Sequence, residues 1–87
     1  MATERRRAQR YRLSATVELG EAEGLTRDIS TLGVFFETKE PQPLGETIAF
    51  SVHLSEATVR CEGRVVRVEN LNGKYGVAVE LTSYTFD

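Results

Sequence analysis

The chain is poor in the residues from which enzyme and metal sites are usually built. A single cysteine, Cys61, excludes an internal disulfide framework, and a single histidine, His53, leaves little for a zinc site. No apolar run approaches the roughly 18 residues of a membrane helix, and none follows the basic N-terminus as a secretory signal requires. HExxH, nucleophile-elbow and P-loop patterns are all missing. Aromatic residues make up only 8% of the chain, few for stacking the successive bases of a single strand. The net charge of −2, taken whole, argues against a polyanionic partner. With 87 residues the expectation is one cytoplasmic domain, without catalysis, cofactor, metal or membrane contact.

What is present is a period of two. Ala15, Val17 and Leu19 alternate with polar residues, and Gly20 to Gly24 read as a turn. Leu25 to Ser30 return as a second strand, and Val34, Phe35 and Phe36 open a third. Pro41, Pro43 and Gly45 break the chain before the clean alternation of Ile48, Phe50, Val52 and Leu54. A long strand follows from about Thr58 to Glu69, with the apolar phase changing between Gly63 and Val66, the mark of a bulge or sharp bend. Asn70 to Gly73 make a hairpin connection in which Gly73 takes positive φ, and Tyr75, Val77, Val79 and Leu81 form the sixth strand. Six short strands favour an all-β, six-stranded antiparallel barrel, since a flat sheet leaves two edges and one face uncovered. Thr82 to Asp87 are too short and too rich in β-branched and aromatic types for a stable helix. On this phasing His53 faces solvent, whereas Cys61 lies with the buried apolar set.

The net charge conceals a division. Residues 1–12 carry Arg5, Arg6, Arg7, Arg10 and Arg12 against the one acid Glu4, so this arm is +4 and residues 13–87 are −6. Asymmetry of this kind points to an anionic partner for the arm, or simply to a solubilising tail. Arg6 and Arg10 form an RxxxR pattern with Arg5 just before it, and Asp28, Ser30 and Gly33 form DxSxxG. Each is weak alone. Their joint occurrence in this order in so short a chain has a chance rate on the order of a few percent. The 17 residues between Arg10 and Asp28 allow one strand, a turn and a return strand, which brings the arm's root beside the loop.

In the arginine arm, the DxSxxG loop, the strand pattern and the late Tyr75-Gly76-Val77 strand, the sequence resembles the PilZ domain family. The resemblance implies a bacterial six-stranded β-barrel that binds the second messenger cyclic di-GMP. It implies ligand roles for Arg6 and Arg10 in the first motif and for Asp28, Ser30 and Gly33 in the second. Arg5, preceding RxxxR, is where the family's arginine favours an intercalated ligand dimer, so two ligands per domain are expected. Many such domains add a C-terminal helix; here it is expected to be short or absent, with Tyr84 and Phe86 closing the barrel end or making a homodimer contact.

The chemistry agrees with that carry-over. Guanidinium groups fork to phosphate oxygens or to guanine O6 and N7, and stack on purine faces. A carboxylate at Asp28 accepts from guanine N1–H and N2–H, a paired geometry adenine does not offer. Ser30 adds a small hydroxyl, and Gly33 lets backbone approach a flat base. The same three residues also suit a plain turn, with Asp28 and Ser30 bonding the turn backbone and Gly33 marking a bulge. Arg7 and Arg12 fall outside the motif register and read as solvated charges. The expected mechanism is ordering of an otherwise mobile arm by ligand, which changes the surface shown to an unidentified downstream protein partner. The competing classes are a protein–protein adaptor with a vestigial ligand site and a small-barrel single-stranded nucleic-acid binder. Against the second stands the −6 body, which repels a nucleic-acid polymer longer than the arm can cover.

Overall fold

The computed structural model describes residues 10–87, and Arg5, Arg6 and Arg7 lie outside the described residues. Seven strands occur: β1 (Tyr11–Arg12), β2 (Thr16–Leu19), β3 (Ala22–Ile29), β4 (Gly33–Thr38), β5 (Thr47–His53), β6 (Thr58–Asn70) and β7 (Tyr75–Phe86). All pairings are antiparallel, in the order β1-β3-β2-β5-β6-β7-β4, and a β3–β4 pairing closes the ring. The barrel therefore has the six strands expected. Strand β1 prolongs β2 along the same edge of β3, after an interruption at residues 13–15. No helix occurs among the described residues, and none of them forms a helix long and apolar enough to cross a membrane.

Alternation puts Val17, Val34, Phe36, Phe50, Val52, Val65, Val77 and Val79 inside, each almost wholly buried, with the Phe36 and Phe50 rings tilted together at 5.6 Å. The barrel shape needs bends, and bulges supply them. In β6 the bulge falls at Val66, where the register passes from Val65↔Val79 to Arg67↔Ala78. The phase change expected there is real, but Val66 joins Arg67 on the outer surface instead of turning inward. A second bulge, at Thr82 in β7, lets the strand continue past Leu81 to Phe86 along β6. The last residues are therefore strand. Asn72 and Gly73, both at positive φ, make the two-residue turn between β6 and β7, so the left-handed requirement falls on both.

The arm's root is fixed to the barrel. Tyr11 and Arg12, assigned by sequence to the arm, pair with Ile29 and Asp28. The buried Thr26 then brackets the interruption: its Oγ1 donates to Leu13 O (2.6 Å) and accepts from Ala15 N–H (2.9 Å), while its own N–H donates to Ala15 O. A buried threonine with its hydroxyl and N–H both occupied anchors residues 13–15 to β3.

Candidate functional site

A third bulge, at Arg27 in β3, sets the site. Thr26 pairs with Phe36 and points inward, and the next pair is Asp28↔Phe35. The extra residue places Arg27 and Asp28 side by side on the outer face, then returns Ile29 to the interior opposite Val34. Without it, Asp28 would follow Thr26 into the core.

On that outer face Arg10 Nη2 stands 3.0 Å from Asp28 Oδ1. Arg12 lies directly opposite Asp28 in the β1–β3 register. Two clefts meet at the carboxylate. One, of about 500 Å³, is bordered by Arg10, Leu32, Gly33, Phe35, Arg67 and Glu80 among others. The other, of about 340 Å³, includes Arg12, Arg27 and Phe35. Phe35 is shared, and the Arg67 guanidinium sits over its ring at 5.6 Å. Asp28 Oδ1 is shielded from solvent, yet it makes no hydrogen bond among the described residues. The Arg10 contact is thus charge proximity without hydrogen-bond alignment, and among the described residues this buried acceptor has no donor.

Ser30 and Gly33 are placed differently. Both are buried in the turn between β3 and β4. Ser30 Oγ accepts from the N–H groups of Leu32 (3.1 Å) and Gly33 (3.2 Å), and Ser30 N–H donates to Gly33 O at 2.9 Å. The hydroxyl is occupied in shaping the loop. A Cβ on Gly33 would stand 2.7 Å from Val79 O, so glycine here lets β4 approach β7, with no bulge at that position. Of the sequence-read residues, the structure brings Arg10 and Asp28 together, with Gly33 bordering the same cleft, and puts Ser30 beneath them as a brace.

Three residues went unassigned in the sequence reading. Arg12 is exposed, as expected of a solvated charge, but it is solvated beside Asp28. Phe35 carried a usable signal: of two adjacent phenylalanines in a strand only one faces the core, and Phe36 takes that place. Arg67 carried none, because the Val66 bulge decides where it points.

Elsewhere the phasing holds. Cys61 is buried, and burial pushes its thiol pKa up to about 11, which makes it a poor nucleophile. His53 is half-exposed, with Nε2 2.9 Å from Glu18 Oε1 and Nδ1 3.1 Å from Thr58 Oγ1. No group of three or more metal-ligating side chains occurs among the described residues.

No curated protein matches the chain. The model of the PilZ domain family matches residues 4–86, nearly its whole length. With the closed six-stranded barrel, this match shows that the chain belongs to the PilZ domain family, in general a family of cyclic di-GMP-binding receptor and adaptor domains that are not typically enzymes.

Proposed function

We propose that the domain is a cytoplasmic cyclic di-GMP receiver whose site is the outer face around Asp28. The observation that carries this reading is the shielded Asp28 Oδ1, open to a donor, at the meeting of two clefts beside a guanidinium. A carboxylate so placed accepts the paired N1–H and N2–H of guanine. Arg10 lies close enough to move from Asp28 to a phosphate or a base edge when the nucleotide takes over the carboxylate. The Phe35–Arg67 pair offers a flat surface for a purine, and Ser30 and Gly33 hold the loop that frames it.

In this mechanism residues 1–12 are the ligand-binding arm and residues 13–87 the barrel. The nucleotide's negative charges bring Arg5 and Arg6, with Arg10, onto the Asp28–Gly33 surface. Arg5 stacks on a second, intercalated ligand, giving two per domain. The ordered arm then presents an altered surface to a downstream protein. The domain has no chemistry of its own.

Isothermal titration with cyclic di-GMP, GTP and a short oligonucleotide tests the reading, repeated with Arg6→Ala, Arg10→Ala and Arg5→Leu. The expected result is selective binding of cyclic di-GMP, lost in Arg6→Ala and Arg10→Ala, with the ligand ratio falling from two to one in Arg5→Leu. Oligonucleotide binding with a steep salt dependence, or no binding of any of the three, overturns it. An unchanged ratio in Arg5→Leu overturns the dimer alone.

A further inference from the structure

Strand β1, which carries Arg12 outward just after Arg10, carries Tyr11 the other way. Tyr11 pairs with Ile29, which faces the interior, so its ring shares that face at one end of the barrel. The end is open. Strand β4 starts at Gly33, opposite Glu80, while β7 runs on to Phe86. Beyond Leu81 the inner face of the β6–β7 ribbon therefore has no β4 residue across from it. A cavity of about 290 Å³ opens there, reaching Val34, Val52, Val59 and Cys61 inside. Its rim is aromatic: Tyr11, Tyr84 and Phe86, the last two in an edge-to-face pair at 6.0 Å. None of the residues lining it is charged.

We propose that this open barrel end is a second binding site, for one uncharged apolar molecule, and that Tyr11 is its lid, held by the β1 strand that the Arg10–Asp28 pair fixes. The occupant's chemistry follows from the walls. An enclosed cavity of about 150 Å³ lined by aliphatic and aromatic side chains stays dry and takes up benzene; this one opens at the barrel end, has Ser30 and Thr31 among otherwise apolar or aromatic walls, and is nearly twice as large, which suits a two- or three-ring hydrocarbon. A charged ligand would lose hydration with no counter-charge on the walls. The lid is linked to the outer face by covalent geometry, since Tyr11 and Arg12 of β1 face opposite sides and Arg10 immediately precedes them. The Arg10–Asp28 contact adds to the β1–β3 pairing in holding Tyr11 over the cavity.

The test uses the full chain without nucleotide and N-phenyl-1-naphthylamine, an uncharged aromatic whose fluorescence rises in apolar surroundings. The site requires saturable one-to-one binding that slows alkylation of Cys61, the chain's only cysteine, by N-ethylmaleimide at least fivefold. The lid requires that Tyr11→Ala speed probe dissociation at least threefold, and the link requires that Asp28→Ala do the same with Tyr11 intact. Probe binding that leaves Cys61 alkylation unchanged means adsorption to the surface and overturns the site, as does the absence of saturable binding. Dissociation unaffected by Tyr11→Ala overturns the lid, and dissociation unaffected by Asp28→Ala overturns the link. None of these readouts involves cyclic di-GMP, so failure here and failure of the receiver reading are separate results.

Discussion

Two carboxylates on the outer face of the β3–β4 hairpin, Asp28 and Glu37, are both shielded and both next to arginine, yet their situations are opposite. Glu37 is fully engaged: Lys74 Nζ lies 2.6 Å from Oε1, and Arg27 Nη1 binds Oε2. Its side chain is only 15% exposed, and its pKa is lowered, first by the hydrogen bond from Lys74 and then by that from Arg27, against the opposing effect of burial. Asp28, with a side chain 25% exposed, has among the described residues one ion-pair partner, Arg10, not aligned for hydrogen bonding, and an oxygen without a hydrogen bond. A carboxylate with its acceptors filled by its own chain ties strands together. One left short of donors in a cleft is arranged for something else.

The largest expected effect tests this contrast directly. Asp28→Ala removes a charged acceptor from the proposed site and should weaken cyclic di-GMP binding roughly 10- to 100-fold, the loss expected of a charge-assisted hydrogen bond. Its urea midpoint should fall less than that of Glu37→Ala, because Asp28 Oδ1 has no hydrogen bond among the described residues to lose and only the half-exposed Arg10 contact goes. Glu37→Ala should do the reverse, lowering stability by about 1 kcal/mol, as a partly exposed ion-pair network does, with affinity within twofold. Titration and urea unfolding of both variants decide. A stability loss in Asp28→Ala larger than in Glu37→Ala would remove the distinction.

Next in size is the loop that aims Asp28. In Gly33→Ala the new Cβ meets the Val79 carbonyl of a neighbouring strand, which has little room to shift, so about 1–3 kcal/mol of stability should be lost. Ser30→Ala leaves the N–H groups of Leu32 and Gly33 without their acceptor and should cost about 1–2 kcal/mol. Both should weaken nucleotide binding through the loop's position. Added at saturating concentration, ligand should restore part of the stability lost, which separates a displaced loop from a missing contact.

The pH dependence isolates the engaged partner of the comparison. Glu37 has a folded pKa below its unfolded one, so the unfolded chain takes up its proton first as the solution is acidified. The stabilisation is complete above the ordinary carboxylate range of about 4.3 and is lost as pH falls through the lower folded value. Urea midpoints of wild type and Glu37→Gln should therefore differ at neutral pH and converge as the pH falls through the lowered folded value. Curves that stay parallel throughout would mean that the Lys74 and Arg27 contacts do not bear on stability.

Much of this was legible in the residues before the fold was known. Alternation located all six barrel strands, because a barrel has one inside and each strand must obey it. The motif pair located Asp28 and its neighbourhood, and the strand–turn–strand between the motifs put Arg10 beside it. What sequence did not reveal has a common cause: each case hangs on a bulge. One extra residue at Arg27 turns Asp28 outward, one at Val66 places Arg67 over Phe35, and one at Thr82 carries β7 beyond Leu81 to Phe86. A bulge is marked in sequence only by a break of phase, visible at Val66 but hidden where polar residues fill the outward positions, as at Arg27. Ser30 and Gly33 show another limit. A motif names residues that recur together without separating those that face a ligand from those that hold the ones that do.

The smallest effect expected is at Gly76, beneath the Phe35 ring. A Cβ there would stand 2.8 Å from Phe35 Cζ and 2.9 Å from Leu71 Cδ1. Both are ends of side chains near the surface, not backbone, so the ring can tilt away and the fold should be little harmed. Tilting the ring, however, takes the flat surface from under Arg67. An exposed cation–π pair is worth about 0.5–1 kcal/mol, so Gly76→Ala should weaken cyclic di-GMP binding roughly two- to fivefold. Phe35→Leu removes the ring without crowding and should give a similar loss. Equal affinities in wild type and both variants would confine the site to Asp28 and the arginines, with no contribution from the Phe35–Arg67 surface.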